Sequence, residues 1–213
     1  MEEPYLVFDL ETQRDADSVG GWNYIADMKM SVGVLWDSRT DKFLVYLEDK
    51  VEQLIDQLLS GIRVIGFNHI HFDYRVLSGY RKIGTERDKL FNDLKNTNNL
   101  DLLVDLKNRL GHRLKLDTIA KATLNAGKSA DGLQALIWYR QYQETQKKEF
   151  LDKIINYCVK DVAVTRDVYQ FGMKNNKVQY ESNQGGIREV QVNWPSSKEV
   201  SSNSQNHQLS LFD

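Results

Sequence analysis

Five short apolar runs rich in strand formers occupy the first half of the chain, and the second half switches to helical spacing. Residues 5–10 (YLVFDL), 30–36 (MSVGVLW) and 43–47 (FLVYL) are the first three. The short polar turn Asp37 to Lys42 predicts a hairpin between the second and third. Residues 50–60 carry Val51, Leu54, Ile55, Leu58 and Leu59 at helical spacing, and Gly61 stops that helix. Residues 63–67 (RVIGF) predict a fourth strand, followed by a helix from about Ile70 to Arg81. Residues 99–103 predict a fifth strand, leading into a helix that ends at Gly111. Segments 117–125, 132–145 and 147–173 read as helices, and 178–182 with 187–193 as a terminal hairpin around Asn183-Gln184-Gly185-Gly186. Early strands interleaved with helices, then a helical half, imply an α/β sheet covered by helices.

The 213 residues suffice for one domain with its own core. Hydrophobic residues at 41% and charged residues at 27% are globular values. The single Cys158 excludes an intramolecular disulfide, and with no secretory pattern at the N-terminus the expected location is the cytoplasm. No apolar run is long enough to span a membrane. A net charge of -2 excludes nucleic-acid binding over a broad basic face. Contact with such a substrate would have to be local, metal-assisted or helped by a tether.

Three short segments carry four acids. Asp9 and Glu11 sit two apart on the first strand, so both side chains face one side of the sheet. Two carboxylates on one face of a buried strand repel each other and lose hydration, which is costly unless a cation joins them. Asp73 falls in the first turn or so of a helix leaving another strand. Tyr157 and Asp161 are i and i+4 on the last long helix and stack on one face. Such oxygen ligands suit Mg²⁺ or Mn²⁺. Two such ions about 3.5–4 Å apart would clamp the attacking and leaving oxygens of a phosphodiester. A phenol titrates near ~10, so Tyr157 stays protonated and can orient a water. Each segment alone fits a cap or a solvated surface; the joint occurrence on the expected element types does not.

At these residues the chain resembles the DEDD-type 3′–5′ exonucleases in their tyrosine variant, as in family B polymerase proofreading domains. Asp9 and Glu11 match the first motif, Asn68, Phe72 and Asp73 the second, Tyr157 and Asp161 the third. The resemblance covers roughly residues 5–172 and implies the ribonuclease H-like mixed sheet of about five strands. It implies that Asp9, Glu11 and Asp161 hold one metal, that Asp9 bridges to a second, and that Asp73 acts directly or through water. It also implies that Asn68 and Phe72 shape the pocket for the 3′-terminal nucleotide and that the backbone near Thr12 meets the terminal hydroxyl. Tyrosine in place of the histidine of sister families implies water orientation by Tyr157.

Other signals are weaker. Trp22 and Tyr24 lie in the polar loop 13–29, where Trp22 either stacks on splayed bases or packs the loop onto the sheet. His69 and His71 flank Ile70 and are poor Mg²⁺ ligands; one of them is a candidate phosphate contact. Arg109, His112, Arg113 and Lys115 form a local basic cluster, read as cations favouring a helix C-terminus in preference to a phosphate track. Lys128 to Gly132 reads as a helix start capped by Ser129 or Asp131, with contact to the digested strand as the functional alternative. Lys160 reads as surface, and Asp101, Asp105 and Asp117 as caps or solvated groups.

The boundaries expected are a nuclease domain over 1–194, a flexible linker over 195–207 and a peptide over 208–213. Gln208, Leu209, Ser210, Leu211 and Phe212 resemble the bacterial sliding-clamp-binding pentapeptide at every position. That resemblance implies burial of Leu211 and Phe212 in an apolar pocket of the clamp. About 13 flexible residues reach roughly 20 Å, enough to hold a nuclease beside clamped DNA. The expectation is therefore a 3′–5′ exonuclease acting on single-stranded DNA 3′ ends with two Mg²⁺ or Mn²⁺ ions, in replication or repair. An RNA-trimming exonuclease and a non-catalytic clamp adaptor are the competing expectations.

Overall fold

A computed structural model describes residues 3–125, 132–182 and 184–194. The strands are β1 (Tyr5–Thr12), β2 (Met30–Asp37), β3 (Lys42–Leu47), β4 (Arg63–Gly66) and β5 (Asn99–Asp101). They form one sheet in the order β3-β2-β1-β4-β5. β1 pairs antiparallel with β2 and parallel with β4; β2–β3 is antiparallel and β4–β5 parallel. This is the expected α/β architecture, a mixed five-stranded sheet with helices.

The sheet is covered on both faces, which explains why its strands read as continuous apolar runs. Leu6, Phe8 and Leu10 of β1 pack with Leu54, Ile55 and Leu58 of helix α2 (Val51–Leu58) and Tyr74 and Leu77 of α3 (Asp73–Ser78). Tyr5 and Val7 face the other way, toward Cys158, Val162 and Tyr169 of α8 (Lys148–Asn175). Asp9 and Glu11 continue that second register, so period two alone turns both carboxylates toward α8. A register irregularity between Glu11 and Thr12 opposes Glu11 to Val32 and Thr12 to Met30. It bends the strand where the acids end.

The remaining helices are α1 (Ala16–Val19), α4 (Thr85–Lys95), α5 (Leu102–Leu110), α6 (Leu116–Leu124) and α7 (Gly132–Thr145), with short 3-10 helices at Trp22–Asp27 and Glu48–Lys50. α7 and α8 follow their expected segments closely. The hairpin of β6 (Lys177–Glu181) and β7 (Ile187–Gln191) also forms, turning through Gly185 and Gly186 at positive φ. It buries Val178, Tyr180 and Val190 in the α8-side core.

Four expectations need correction. α3 begins at Asp73, three residues later than the spacing predicts, because residues 68–72 are held in a turn. Asn68 is left-handed (φ 70) and Phe72 N–H donates to its carbonyl at 3.0 Å. α3 stops at Ser78, three residues early, and the following Gly79 packs against the 3-10 helix backbone; a Cβ there would lie 1.7 Å from the Ala26 carbonyl oxygen. β5 ends at Asp101, whose carboxylate caps α5 by accepting Leu103 N–H (3.1 Å) and Val104 N–H (3.2 Å). α4 has no counterpart among the expected elements; only Leu90 and Leu94 of its eleven residues are buried, so it carries little apolar period. Among the described residues no helix is long and apolar enough to cross a membrane.

Candidate metal centre

Asp9 and Glu11 project from the end of β1, and α8 crosses the same face carrying Tyr157, Cys158 and Asp161. One carboxylate oxygen each from Asp9, Glu11 and Asp161 lie within 4.8 Å of one another. All three residues are half-buried. Burial pushes the Asp9 carboxyl well above the usual range, reinforced by the charges of Asp73, Glu11 and Asp161. Glu11 is raised by burial and by Asp161 and Asp73. Asp161 is raised by burial to about 6, against the opposing hydrogen bond from Tyr157.

Asp73 stands beside this triad. Its Oδ1 accepts Leu10 N–H at 3.1 Å, tying the start of α3 to β1, and burial raises its carboxyl to about 7. It is the largest single charge acting on Asp9. The Tyr157 hydroxyl donates to Asp161, and its ring meets Trp138 edge-on at 6.4 Å. Burial, then the charges of Asp161, Glu11 and Asp9, drive the Tyr157 pKa upward, so the phenol stays protonated.

Four carboxylates crowded together and partly withdrawn from water are a costly arrangement that a divalent cation would relieve. Lys160 on α8 exerts the least of the named influences on Asp161. An all-oxygen donor set fits a hard cation such as Mg²⁺ or Mn²⁺. Asp9, Glu11 and Asp161 are the residues that would hold it.

The triad stands where two clefts meet. The first, about 590 Å³, is lined by Glu11, Thr12, Trp22, Phe72, Leu133 and Leu136 among others. Trp22 is 71% exposed and its ring lies 6.5 Å from that of Phe72, so it forms the cleft's rim and is not packed onto the sheet. The Thr12 hydroxyl donates to the Arg14 carbonyl at 2.9 Å. The second cleft, about 540 Å³, brings Asp9 and Asp161 together with Asn68, Arg113 and Lys115. The expected site residues Asp9, Glu11, Tyr157 and Asp161 therefore meet, Thr12, Trp22 and Phe72 share one adjoining cleft, and Asn68 belongs to the other.

Asp101 positions the turn before Asp73. It accepts Asn68 N–H at 2.8 Å and Ile70 N–H at 3.1 Å besides capping α5. The cap is the role its place at a strand end suggests; the grip on the turn is a long-range contact that spacing does not reveal. His69 is buried between Asp101, Asn99 and Tyr74, and burial lowers its pKa, so it is a neutral core residue. His71 is exposed.

The basic cluster divides. Arg109 forks onto Asp105 at 2.7 and 3.0 Å, as expected of a cation near a helix end, and the His112 ring faces Tyr180. Arg113 and Lys115 instead line the second cleft. Two contributions escaped the sequence. The Cys158 sulfur lies 3.5 Å from the Asp9 carbonyl and 3.7 Å from its Oδ2. Leu133 and Leu136 of α7 supply the far wall of the first cleft. Lys128 to Asp131, Asn183 and the segment 195–213 lie outside the described residues.

The RNase_H superfamily model matches residues 6–171, from β1 to within four residues of the end of α8. The chain belongs to the RNase_H superfamily. The matched span includes every acid of the site, and the superfamily points to a nucleic-acid hydrolase that uses divalent metals. The search of curated proteins returned no match.

Proposed function

We propose that the protein is a metal-dependent 3′–5′ exonuclease that removes nucleotides from single-stranded DNA 3′ ends and is tethered to the bacterial sliding clamp in replication or repair. The observation that carries the reading is the meeting of the acidic triad with an aromatic-rimmed cleft, with Tyr157 bonded to Asp161. Asp9, Glu11 and Asp161, with Asp73 directly or through water, would hold two divalent ions, which would supply Lewis-acid stabilisation of charge on the phosphoryl group.

The chain's own residues do the rest. Phe72 and Trp22 stack on or wedge between terminal bases, a sequence-tolerant contact. Thr12 lies in the same cleft, where its backbone would meet the terminal 3′-hydroxyl. Asn68 bounds the scissile region from the second cleft. Tyr157, held protonated with its hydroxyl donating to Asp161, accepts a hydrogen bond from the attacking water and so turns that water's lone pair toward phosphorus. The water oxygen bonds to phosphorus, the bond from phosphorus to the neighbouring 3′-oxygen breaks, and that oxygen leaves with a proton. The products are a 5′-mononucleotide and a strand one residue shorter.

The tail Gln208 to Phe212, with its clamp-like residues, would localise an enzyme whose net charge of -2 gives it little general attraction to DNA. Binding of a bacterial sliding clamp by the full chain, and its loss in a Leu211→Ala, Phe212→Ala double variant, tests that half of the reading.

Digestion of 5′-labelled single-stranded DNA and matched RNA, with Mg²⁺ or Mn²⁺, tests the other. A ladder shrinking from the 3′ end of DNA, absent in Asp161→Ala, is expected. Cleavage of RNA alone moves the function to RNA processing. Cleavage of neither, even with clamp present, leaves the adaptor reading.

A further inference from the structure

The second cleft has a cationic wall that the proposed chemistry does not use. Of the four basic residues between 109 and 115, Arg109 is engaged by Asp105 and His112 by the Tyr180 ring. Arg113 and Lys115 line the cleft that also exposes Asp9 and Asp161. Arg113 Nη2 donates to Asn68 Oδ1 at 3.2 Å, a neutral acceptor, although two carboxylates line the same cleft. Neither Arg113 nor Lys115 enters any ion pair found among the described residues. The mount is firm: Asn68 is held left-handed with its N–H on the buried Asp101 carboxylate. Cations kept beside acids without pairing to them suit a site completed by an incoming anion.

The triad joins the two clefts. With the terminal nucleoside in the aromatic-rimmed cleft and the scissile phosphate over the triad, the next phosphate of the strand falls toward the second cleft. We propose that Arg113 and Lys115 bind the phosphate immediately 5′ of the scissile one and so set the preference for a polynucleotide over a mononucleotide ester. This inference rests on the exonuclease reading.

The p-nitrophenyl ester of thymidine 5′-monophosphate carries a scissile phosphodiester and no further phosphate. Full-length wild type, Arg113→Ala, Arg113→Lys and Lys115→Ala are compared on this ester and on single-stranded DNA. Each alanine variant is expected to lower kcat/KM on DNA about tenfold more than on the ester, the scale of a lost charged hydrogen bond. Arg113→Lys recovers part of the loss, since the charge stays and the fork goes.

DNA binding in Ca²⁺, followed by fluorescence anisotropy, gives a readout independent of turnover. The slope of log affinity against log salt should shrink by about 0.7 for each lost phosphate contact. A structural effect relayed through Asn68 would not move that slope. DNA and ester falling equally, or an unchanged slope in both alanine variants, overturns the inference. Wild type that binds DNA but cleaves neither substrate overturns the exonuclease reading, while the slope still decides the phosphate contact.

Discussion

Two groups of carboxylates, one buried and one half-buried, sit at the same end of the sheet and are treated in opposite ways. Asp101, at the end of β5, is buried and accepts four backbone N–H groups, from Asn68, Ile70, Leu103 and Val104. Asp9, Glu11 and Asp161 have each other as neighbours; burial pushes all three carboxyls up, and neighbouring acids add to the rise at Asp9 and Glu11. A carboxylate surrounded by donors is scaffold: it fixes the turn that presents Asn68 and Asp73. Carboxylates that face other carboxylates out of bulk water are costly to keep charged, and a divalent cation would offset that cost. A carboxylate thus serves architecture or chemistry according to what faces it.

Removing one charge from each group separates the two roles most sharply. Asp9→Asn should cut kcat/KM by about 10³ or more, the scale of several kcal/mol of lost metal-assisted stabilisation. In chelator-treated buffer the same change should raise Tm, because it relieves repulsion without removing volume. Asp101→Ala should do the reverse to stability, lowering unfolding free energy by about 3 kcal/mol in urea titrations as four donors lose their acceptor. A Tm that falls in both variants breaks the distinction.

The pH dependence sharpens it. Carboxyls raised in the folded state bind protons more tightly there than in the unfolded chain, where they titrate near ~4. Their stabilising contribution is complete below that value and is lost as pH rises through the folded values, about 6 for Asp161 and about 7 for Asp73. Metal-free protein should therefore lose Tm between about pH 4 and pH 7. Saturating Mn²⁺ at pH 7.5 should restore it, by about 2.7 kcal/mol at a hundredfold excess over Kd. A metal-free Tm that rises across that window contradicts the raising of these carboxyls by the fold.

The smallest effect concerns the cleft rim. Trp22→Ala should raise KM on single-stranded DNA roughly tenfold, from one lost stacking contact of about 1–3 kcal/mol. Stability should stay within about 0.5 kcal/mol, since Trp22 is mostly exposed. A large drop in Tm with KM untouched would show that Trp22 packs the loop instead.

What the sequence made legible follows from where the physics is local. β1, β2 and β4 are buried on both faces, so their apolar runs stand out, and the i, i+2 acids on β1 and the i, i+4 pair Tyr157 and Asp161 inherit their facing from element periods. α4 was hidden because its surface is almost wholly polar, and the late start of α3 because the turn before it is held from Asp101, some thirty residues away. The Cys158 contact with Asp9 and the leucine wall from α7 arise from packing between elements far apart in the chain. The basic cluster was half legible: an i, i+4 partner explains Arg109, whereas the placement of Arg113 and Lys115 depends on a cleft that no short window encodes.

Whether Asp9, Glu11 and Asp161 form a divalent-metal centre is decided by calorimetric titration of the chelator-treated protein with Mn²⁺. Wild type should take up metal, with Asp9→Ala and Asp161→Ala losing most of that affinity and Asp105→Ala, remote from the triad, retaining it. Unchanged Mn²⁺ affinity in Asp9→Ala would contradict the metal centre, whatever activity the protein shows.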